Sequence, residues 1–313
     1  MKALKKLLDK ARPAFEDGGK LHAFRSVFDG FDTFLFTPNE TSRSGVHIHD
    51  SMDSKRTMII VIAALVPCLL FGMYNTGYQH WLACGATEFP FWSLMLYGFL
   101  AVLPRIVVSY LVGLGIEFAV AQWRKEEIQE GFLVTGILIP LICPIETPLW
   151  MIAVATAFSV IFVKEVFGGT GYNIFNVALV TRAFLFFAYP AKMSGDGVFV
   201  ALNPTFGFGG QVADGFTGAT PLGQIAASGA TGPAEVAQAM TTLTNEPIST
   251  LDMFLGLIPG SFGETSVLCI LIGAAILLLT GIASWRIILS VFVGGAFMAF
   301  IANTFATPTY PAS

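Results

Sequence analysis

The sequence predicts an all-α, polytopic membrane protein with about seven transmembrane helices, a cytoplasmic N-terminus and one long outer loop. Three observations carry this prediction. Of 313 residues, 54% are hydrophobic and only 12% charged, against about a quarter charged in soluble domains. The apolar residues gather in runs near the ~20 residues that a helix needs to cross a bilayer, rather than in the alternating bursts of a membrane β-barrel. Basic residues crowd at the start: Lys2, Lys5, Lys6, Lys10, Arg12, Lys20, Arg25, Arg43, Lys55 and Arg56 are ten of the chain's 17 Lys plus Arg, which places this end in the cytoplasm by the positive-inside rule.

Residues 1–56 form the basic cytoplasmic segment, polar where a cleavable signal would have an apolar core. Apolar spans are expected at about 57–74, 93–122, 131–147, 148–163, 172–190, 265–283 and 285–303. Loop charge follows the alternation that a cytoplasmic start requires. Residues 75–92 carry no Lys or Arg, the next loop has Arg124 and Lys125, the turn from Pro144 to Pro148 has none, and the following one has Lys164. The stretch 191–264 holds Lys192 against Asp196, Asp214, Glu235, Glu246, Asp252 and Glu264, so it belongs outside, and Arg286 marks the return. This outer loop is rich in Gly, Ala, Thr and Pro, and its composition suits a disordered spacer as well as a functional loop.

Several function classes fall away. A net charge of −4, with no basic stripe beyond the N-terminal segment, offers no footprint for nucleic acid. Cys68, Cys84, Cys143 and Cys269 stand singly, without a CxxC pair, and are expected to be small buried hydrophobes. His47, His49 and Asp50 lack a third ligand cluster, so no metal is expected there. Gly207 to Gly210 has neither the spacing nor the βαβ context of a dinucleotide site.

The informative string is Asp214-Gly215-Phe216-Thr217-Gly218-Ala219-Thr220-Pro221-Leu222. Gly215 and Gly218 allow positive φ, and Pro221 favours an extended Thr220 with a presented hydroxyl. Such a turn is either a plain connector or an acceptor for a modifying enzyme. Charges inside the spans are the second signal, since each is costly in lipid unless partnered. Glu117 lies seven residues before Arg124, about 10 Å along a helix. It reads as a structural ion pair with Arg182 or Lys164, or, beside the small Gly113 and Gly115, as part of an oxygen-lined gap for a hard cation. Arg105 follows Pro104, a residue that can kink its span, and reads as structural. Arg182 falls mid-span, with Asn173 and Asn176 nearby.

Long strings in order give the chain a resemblance that covers nearly all of it. They are Gly18-Gly19-Lys20-Leu21, the run from Lys164 through Gly168-Gly169-Thr170-Gly171 to Arg182-Ala183-Phe184-Leu185-Phe186-Phe187-Ala188-Tyr189-Pro190, then Met193-Ser194-Gly195-Asp196, the motif above, and Gly281-Ile282-Ala283-Ser284-Trp285-Arg286. The chain resembles the NqrB/RnfD family, and within it the NqrB membrane subunits of the sodium-translocating NADH:quinone oxidoreductases (Nqr) of bacterial inner membranes. The homologous membrane subunit of the Rnf complex is the near alternative, and a secondary transporter without a cofactor or an assembly scaffold are the others.

The resemblance implies that Thr220 carries FMN through a phosphoester, installed by a flavin transferase that recognises Asp214, Gly215, Gly218 and Ala219. Thr217 stands where Ser is common in the family, and roughly Ala201 to Val212 looks like an added stretch. It further implies a noncovalent riboflavin, ubiquinone or menaquinone as electron acceptor, Na⁺ as transported ion, an NADH site on another subunit, and partner subunits in a hetero-oligomer. Glu117 is then a candidate for the ion pathway, and Gly113, Thr170, Asn173, Asn176 and Arg182 mark a candidate riboflavin or quinone region. Leu114 interrupts the adjacent glycines more usual in the family at this point. The fold implied is a pair of helical repeats: a first repeat over 57–190, the periplasmic loop over 191–264, and the start of a second over 265–313, expected to be incomplete in this chain.

Overall fold

The structure is a computed structural model that describes residues 54–88, 90–124, 131–194, 199–213, 216, 218–230 and 233–305, with 8, 10, 12–15 and 28 of the N-terminal segment. Helix α1 runs Ser54–Ala83, α2 Phe91–Arg124, α3 Phe132–Ile142, α4 Leu149–Ser159 and α5 Val177–Ala188. The stretch after α5 carries three short helices, α6 Pro221–Ser228, α7 Pro233–Ala239 and α8 Thr250–Leu255. Helices α9, Val267–Leu279, and α10, Trp285–Thr304, follow. The described residues form no β-strand, only isolated bridges at Thr205–Phe208 and Thr241–Pro247. Helices α1, α2 and α10 are long and apolar enough to cross a membrane, and α3, α5 and α9 are shorter apolar helices.

Glycines set how closely the bundle packs. A Cβ on Gly98 would fall within 2.7 Å of the Met73 backbone, and one on Gly77 within 2.7 Å of the Leu94 backbone. The antiparallel α1 and α2 therefore touch main chain to main chain over one turn. Gly273 brings α9 against Ala64 of α1 in the same way, and Gly72 receives Phe262 from the segment before α9. On the other side of α2, Gly113 is covered by the Phe132 ring and Gly136 by the Tyr110 ring, whose hydroxyl donates to the Leu133 carbonyl. Behind these contacts α4 and α5 bury Ile152, Ala155, Val160, Ala178 and Leu185 in a second apolar core.

Helix boundaries depart from the apolar spans where polar residues find partners. Hydropathy alone ends the first span at 74, yet α1 continues to Ala83. The polar turns beyond 74 are satisfied across the fold. Asn75 donates to the Ile258 carbonyl at 2.9 Å, Gln79 donates to Asn75 Oδ1 at 3.3 Å, and His80 engages the Ala201 carbonyl at 2.7 Å. The third apolar span reaches 147 in the sequence, but α3 stops at Ile142, ahead of Pro144 and Pro148, and 143–148 is a turn. Helix α5 begins at Val177 rather than near 172, because Gly168, Gly169 and Gly171 adopt positive φ before it.

Connections gather at the two ends of the bundle. The 84–90 link, the 143–148 turn and the stretch after α5 share one end, tied by His80 to Ala201, by Glu146 to the Leu202 amide at 3.0 Å, and by the Gly263 amide to the Leu141 carbonyl at 2.8 Å. Arg124, Lys164 and Glu165 lie at the other, where Arg124 donates to the Glu165 carbonyl at 2.7 Å. Helix α2 continues through Pro104, with Arg105 donating to the Ala101 carbonyl at 2.6 Å. Of the cysteines, Cys68 and Cys143 are buried as expected and Cys269 is half-buried. Cys84 is exposed, because α1 ends just before it. No residue of α10 is buried.

Replacing Gly98 by Leu should push α1 from α2 and lower stability by about 1–3 kcal/mol, read as a fall in thermal midpoint in detergent. Gly115, with open space around it, is the control: Gly115→Leu should leave the midpoint unchanged or raise stability by up to about 1 kcal/mol, the gain in helix propensity.

Candidate functional site

Thr220 sits at the N-cap of α6 with an extended backbone, φ −65° and ψ 156°. Proline at the first helical position presets the helix and removes a backbone donor that would otherwise be orphaned. The Thr220 hydroxyl oxygen accepts a hydrogen bond from the Gly223 amide at 3.1 Å, and Gly229 closes the helix in the left-handed region at φ 66°. Thr220 is half-buried, so its hydroxyl is reachable from outside, and Leu222 beside it is 76% exposed.

The turn bearing Thr220 is held from two directions. Gly218 lies on the buried Val200, where a Cβ would come 2.9 Å from the Val200 Cβ. Gln224 reaches the 240–248 hairpin with both ends of its amide: Nε2 donates to the Thr241 carbonyl at 2.8 Å and Oε1 accepts from the Thr241 amide at 2.8 Å. The same Nε2 donates to the Ala219 carbonyl at 3.3 Å. Helix α8, with a Ser249–Asp252 capping box, adds further regular structure. Where described, this stretch is an ordered cap rather than a spacer. Of the expected recognition residues, Gly218 and Ala219 are seen, whereas Asp214, Gly215 and Thr217 lie outside the described residues, as do His47, His49 and Asp50.

Glu117 meets Lys164 at the opposite end of the bundle. Their side chains are 4% and 5% exposed, and Lys164 Nζ donates to Glu117 Oε1 in a buried ion pair. The turn that delivers Lys164 is a π-helix over Val160–Glu165, which adds a residue to the inward face so that Val163 and Lys164 both point into the bundle. Glu117 Oε2 is buried and meets no hydrogen-bond donor among the described residues. Gly113, on the same α2 face, is filled by the Phe132 ring rather than by a neighbouring backbone or an open gap.

The other expected residues do not converge. Asn176 caps α5 by accepting from the Leu179 amide at 3.2 Å, and Asn173 closes the preceding turn, accepting from the Gly171 amide at 3.2 Å and donating to the Phe175 carbonyl at 2.9 Å. Arg182, six residues beyond Asn176 or about 9 Å along the helix, turns to Glu264 instead. It donates to both carboxylate oxygens at 2.8 and 2.7 Å. Thr170 packs on Gly131, where a Cβ would lie 2.6 Å from its Cγ2. Sequence reasoning missed His80, Tyr97 and Glu146, which grip the loop below Thr220. The spacing of Asn75, Gln79 and His80 on one helical face was the signal that could have found the first of them.

Removing one partner of the Glu117–Lys164 pair leaves a buried charge uncompensated. Glu117→Leu should cost about 3–5 kcal/mol, and Glu117→Leu/Lys164→Met should recover most of it. Thermal unfolding of the purified chain in detergent, single against double variant, checks this.

Comparison with known proteins agrees with the motif. The family described as NQR2, RnfD, RnfE matches residues 41–312. The NqrB subunit of the Na(+)-translocating NADH-quinone reductase of Klebsiella pneumoniae (strain 342) is 40% identical over 336 residues, covering 98% of this chain and 77% of that protein. The protein of the same name from Azotobacter vinelandii is 40% identical over 330 residues, with the same coverage. That from Chromohalobacter salexigens is 41% identical over 328 residues, 98% of this chain and 74% of the relative. The chain therefore spans about three quarters of the length of these relatives and belongs to the NQR2, RnfD, RnfE family.

Proposed function

We propose that this chain is the membrane subunit of a sodium-translocating NADH:quinone reductase that carries FMN as a phosphoester on Thr220. The observation that carries the reading is Thr220 itself: a reachable hydroxyl at a helix N-terminus, in a turn gripped by Val200 and Gln224. The residues present suit the group. The oxygen that would bear the phosphate lies at the positive end of the α6 dipole, next to the Gly223 amide, which favours an anion there. The exposed Leu222 offers an apolar surface beside it. FMN bound there would supply one- and two-electron redox chemistry that no side chain of this protein can perform. The chain's own part is to hold the attachment point in one place, since a tether keeps the local concentration of the carrier high.

Relatives named as this subunit of the sodium-translocating reductase, at 38–41% identity over 98% of this chain, favour Nqr over the Rnf branch of the same family. The wider reading follows from that kinship. NADH would be oxidised on another subunit, quinone would be the acceptor, and sodium would leave the cell. Riboflavin would be held within the bundle, with Gly113, Thr170, Asn173, Asn176 and Arg182 as residues to probe. The chain would cross the bacterial inner membrane about seven times, with Thr220 on the outer side. Glu117 would serve the ion pathway. Its Oε2 has no donor among the described residues, and a carboxylate oxygen so placed is a suitable ligand for a hard cation.

The denatured chain, coexpressed with a flavin transferase, should fluoresce in a gel under ultraviolet light, and Thr220→Ala should abolish the signal. The peptide covering 214–222 should carry the mass of FMN on Thr220. A dark wild-type band in the presence of an active transferase would overturn the assignment.

A further inference from the structure

The 200–212 segment is a hairpin whose two limbs are both fastened to one pair of rings. His80, in the last turn of α1, and Tyr97, in the second turn of α2, are each 0% exposed and stack with centroids 4.1 Å apart at 12°. His80 Nδ1 lies 2.7 Å from the Ala201 carbonyl, which can only accept, so Nδ1 carries the proton and donates. His80 Nε2 then accepts from the Gly210 amide at 3.1 Å on the returning limb. The Tyr97 hydroxyl donates to the Asn203 carbonyl at 2.7 Å. Gly209 has φ +89°, and a Cβ there would come 2.5 Å from His80 Nε2 and 2.7 Å from a Tyr97 ring carbon, so the hairpin lies flat on the two rings.

This grip extends to the attachment turn. Val200 is the residue immediately before the clamped Ala201, is 1% exposed, and is the surface on which Gly218 rests, two residues before Thr220. The limbs are themselves joined by the Val212 amide donating to the Leu202 carbonyl at 3.2 Å. We propose that His80 and Tyr97 are positioning residues: through the 200–212 hairpin they fix the place of Thr220 relative to the helical bundle. The inference rests on the reading of Thr220 as the flavin acceptor, and it assigns to two bundle residues the job of setting where that flavin stands. One neutral imidazole, offering a donor on one side and an acceptor on the other, bridges both limbs. A phenyl ring can keep the stack but neither hydrogen bond, whereas a glutamine amide supplies one donor and one acceptor.

The test compares wild type, His80→Phe, His80→Gln and Tyr97→Phe as full chains in the assembled complex, with two readouts. Amide hydrogen exchange over 199–224 should rise about tenfold in His80→Phe, and measurably in Tyr97→Phe, with the α4 and α5 amides unchanged. The rate at which the Thr220 flavin is reduced on adding NADH should fall about tenfold to a hundredfold in His80→Phe, as expected for an ångström-scale misplacement. His80→Gln should restore both towards wild type. Wild-type protein that lacks FMN on Thr220 would overturn the flavin reading, and with it the role assigned to the clamp. Wild-type flavin in place, with His80→Phe matching wild type in exchange and reduction rate, would overturn the positioning role alone. Faster exchange spread equally through α4 and α5, without rescue by Gln, would show a general packing role and overturn it as well. Tyr97→Phe, which removes a single hydroxyl, keeps the test decisive if His80→Phe does not accumulate.

Discussion

The approach of α1 to α2 at Gly77 and Gly98, where each glycine faces the other helix's backbone, sets the frame for what is built on it. Because the two helices meet without intervening side chains, the last turn of α1 and the second turn of α2 come level, and His80 stacks on Tyr97. Their polar atoms then reach beyond the helix ends to the main chain of the loop. Dispersion and close packing carry helix association in an apolar medium, where the hydrophobic effect contributes little. A single added side chain at this crossing would therefore displace the loop as well as the helices.

Polar groups in the bundle follow one rule: each finds a partner on a different element, and the partner decides the fold locally. Asn75 holds the segment before α9, Glu146 holds Leu202, Lys164 holds Glu117, and Glu264 holds Arg182. An unpaired polar group in hydrocarbon is costly, so these contacts specify geometry more sharply than the apolar packing around them. They also divide the molecule functionally. The end that holds the loop is rich in hydrogen bonds to main chain, which fixes the position of a backbone. The opposite end concentrates charge in Glu117, Lys164, Arg124 and Glu165, the chemistry needed where a cation would be handled.

The apolar surface of α10 marks the limit of what the described residues bury. Trp285, Val291, Phe292 and Phe300 are each more than 60% exposed. In water such a face would drive association, and in a bilayer it is compatible with lipid or a neighbouring helix. It contrasts with α9, whose Gly273 seats it against α1.

The all-helical class and the location of the apolar helices were legible in the sequence, because hydrophobic run length is a local property that the medium reads directly. So was the acceptor turn, since an Ala-Thr-Pro string imposes an extended threonine at a helix start whatever surrounds it. What tertiary structure alone decided was which polar residues meet. The sequence left Glu117 open between Arg182 and Lys164. The π-turn over Val160–Glu165 chose Lys164 by adding a residue to the inward face, and Arg182 was left to Glu264, 82 positions away. Asn75 and His80 looked like the start of a loop because they break an apolar run. They are helical because Ile258 and Ala201, both more than 120 residues distant, supply the missing partners. Hydropathy is summed along the chain, whereas a hydrogen bond is satisfied across it, so local pattern determined the helices and only the assembled fold determined the site.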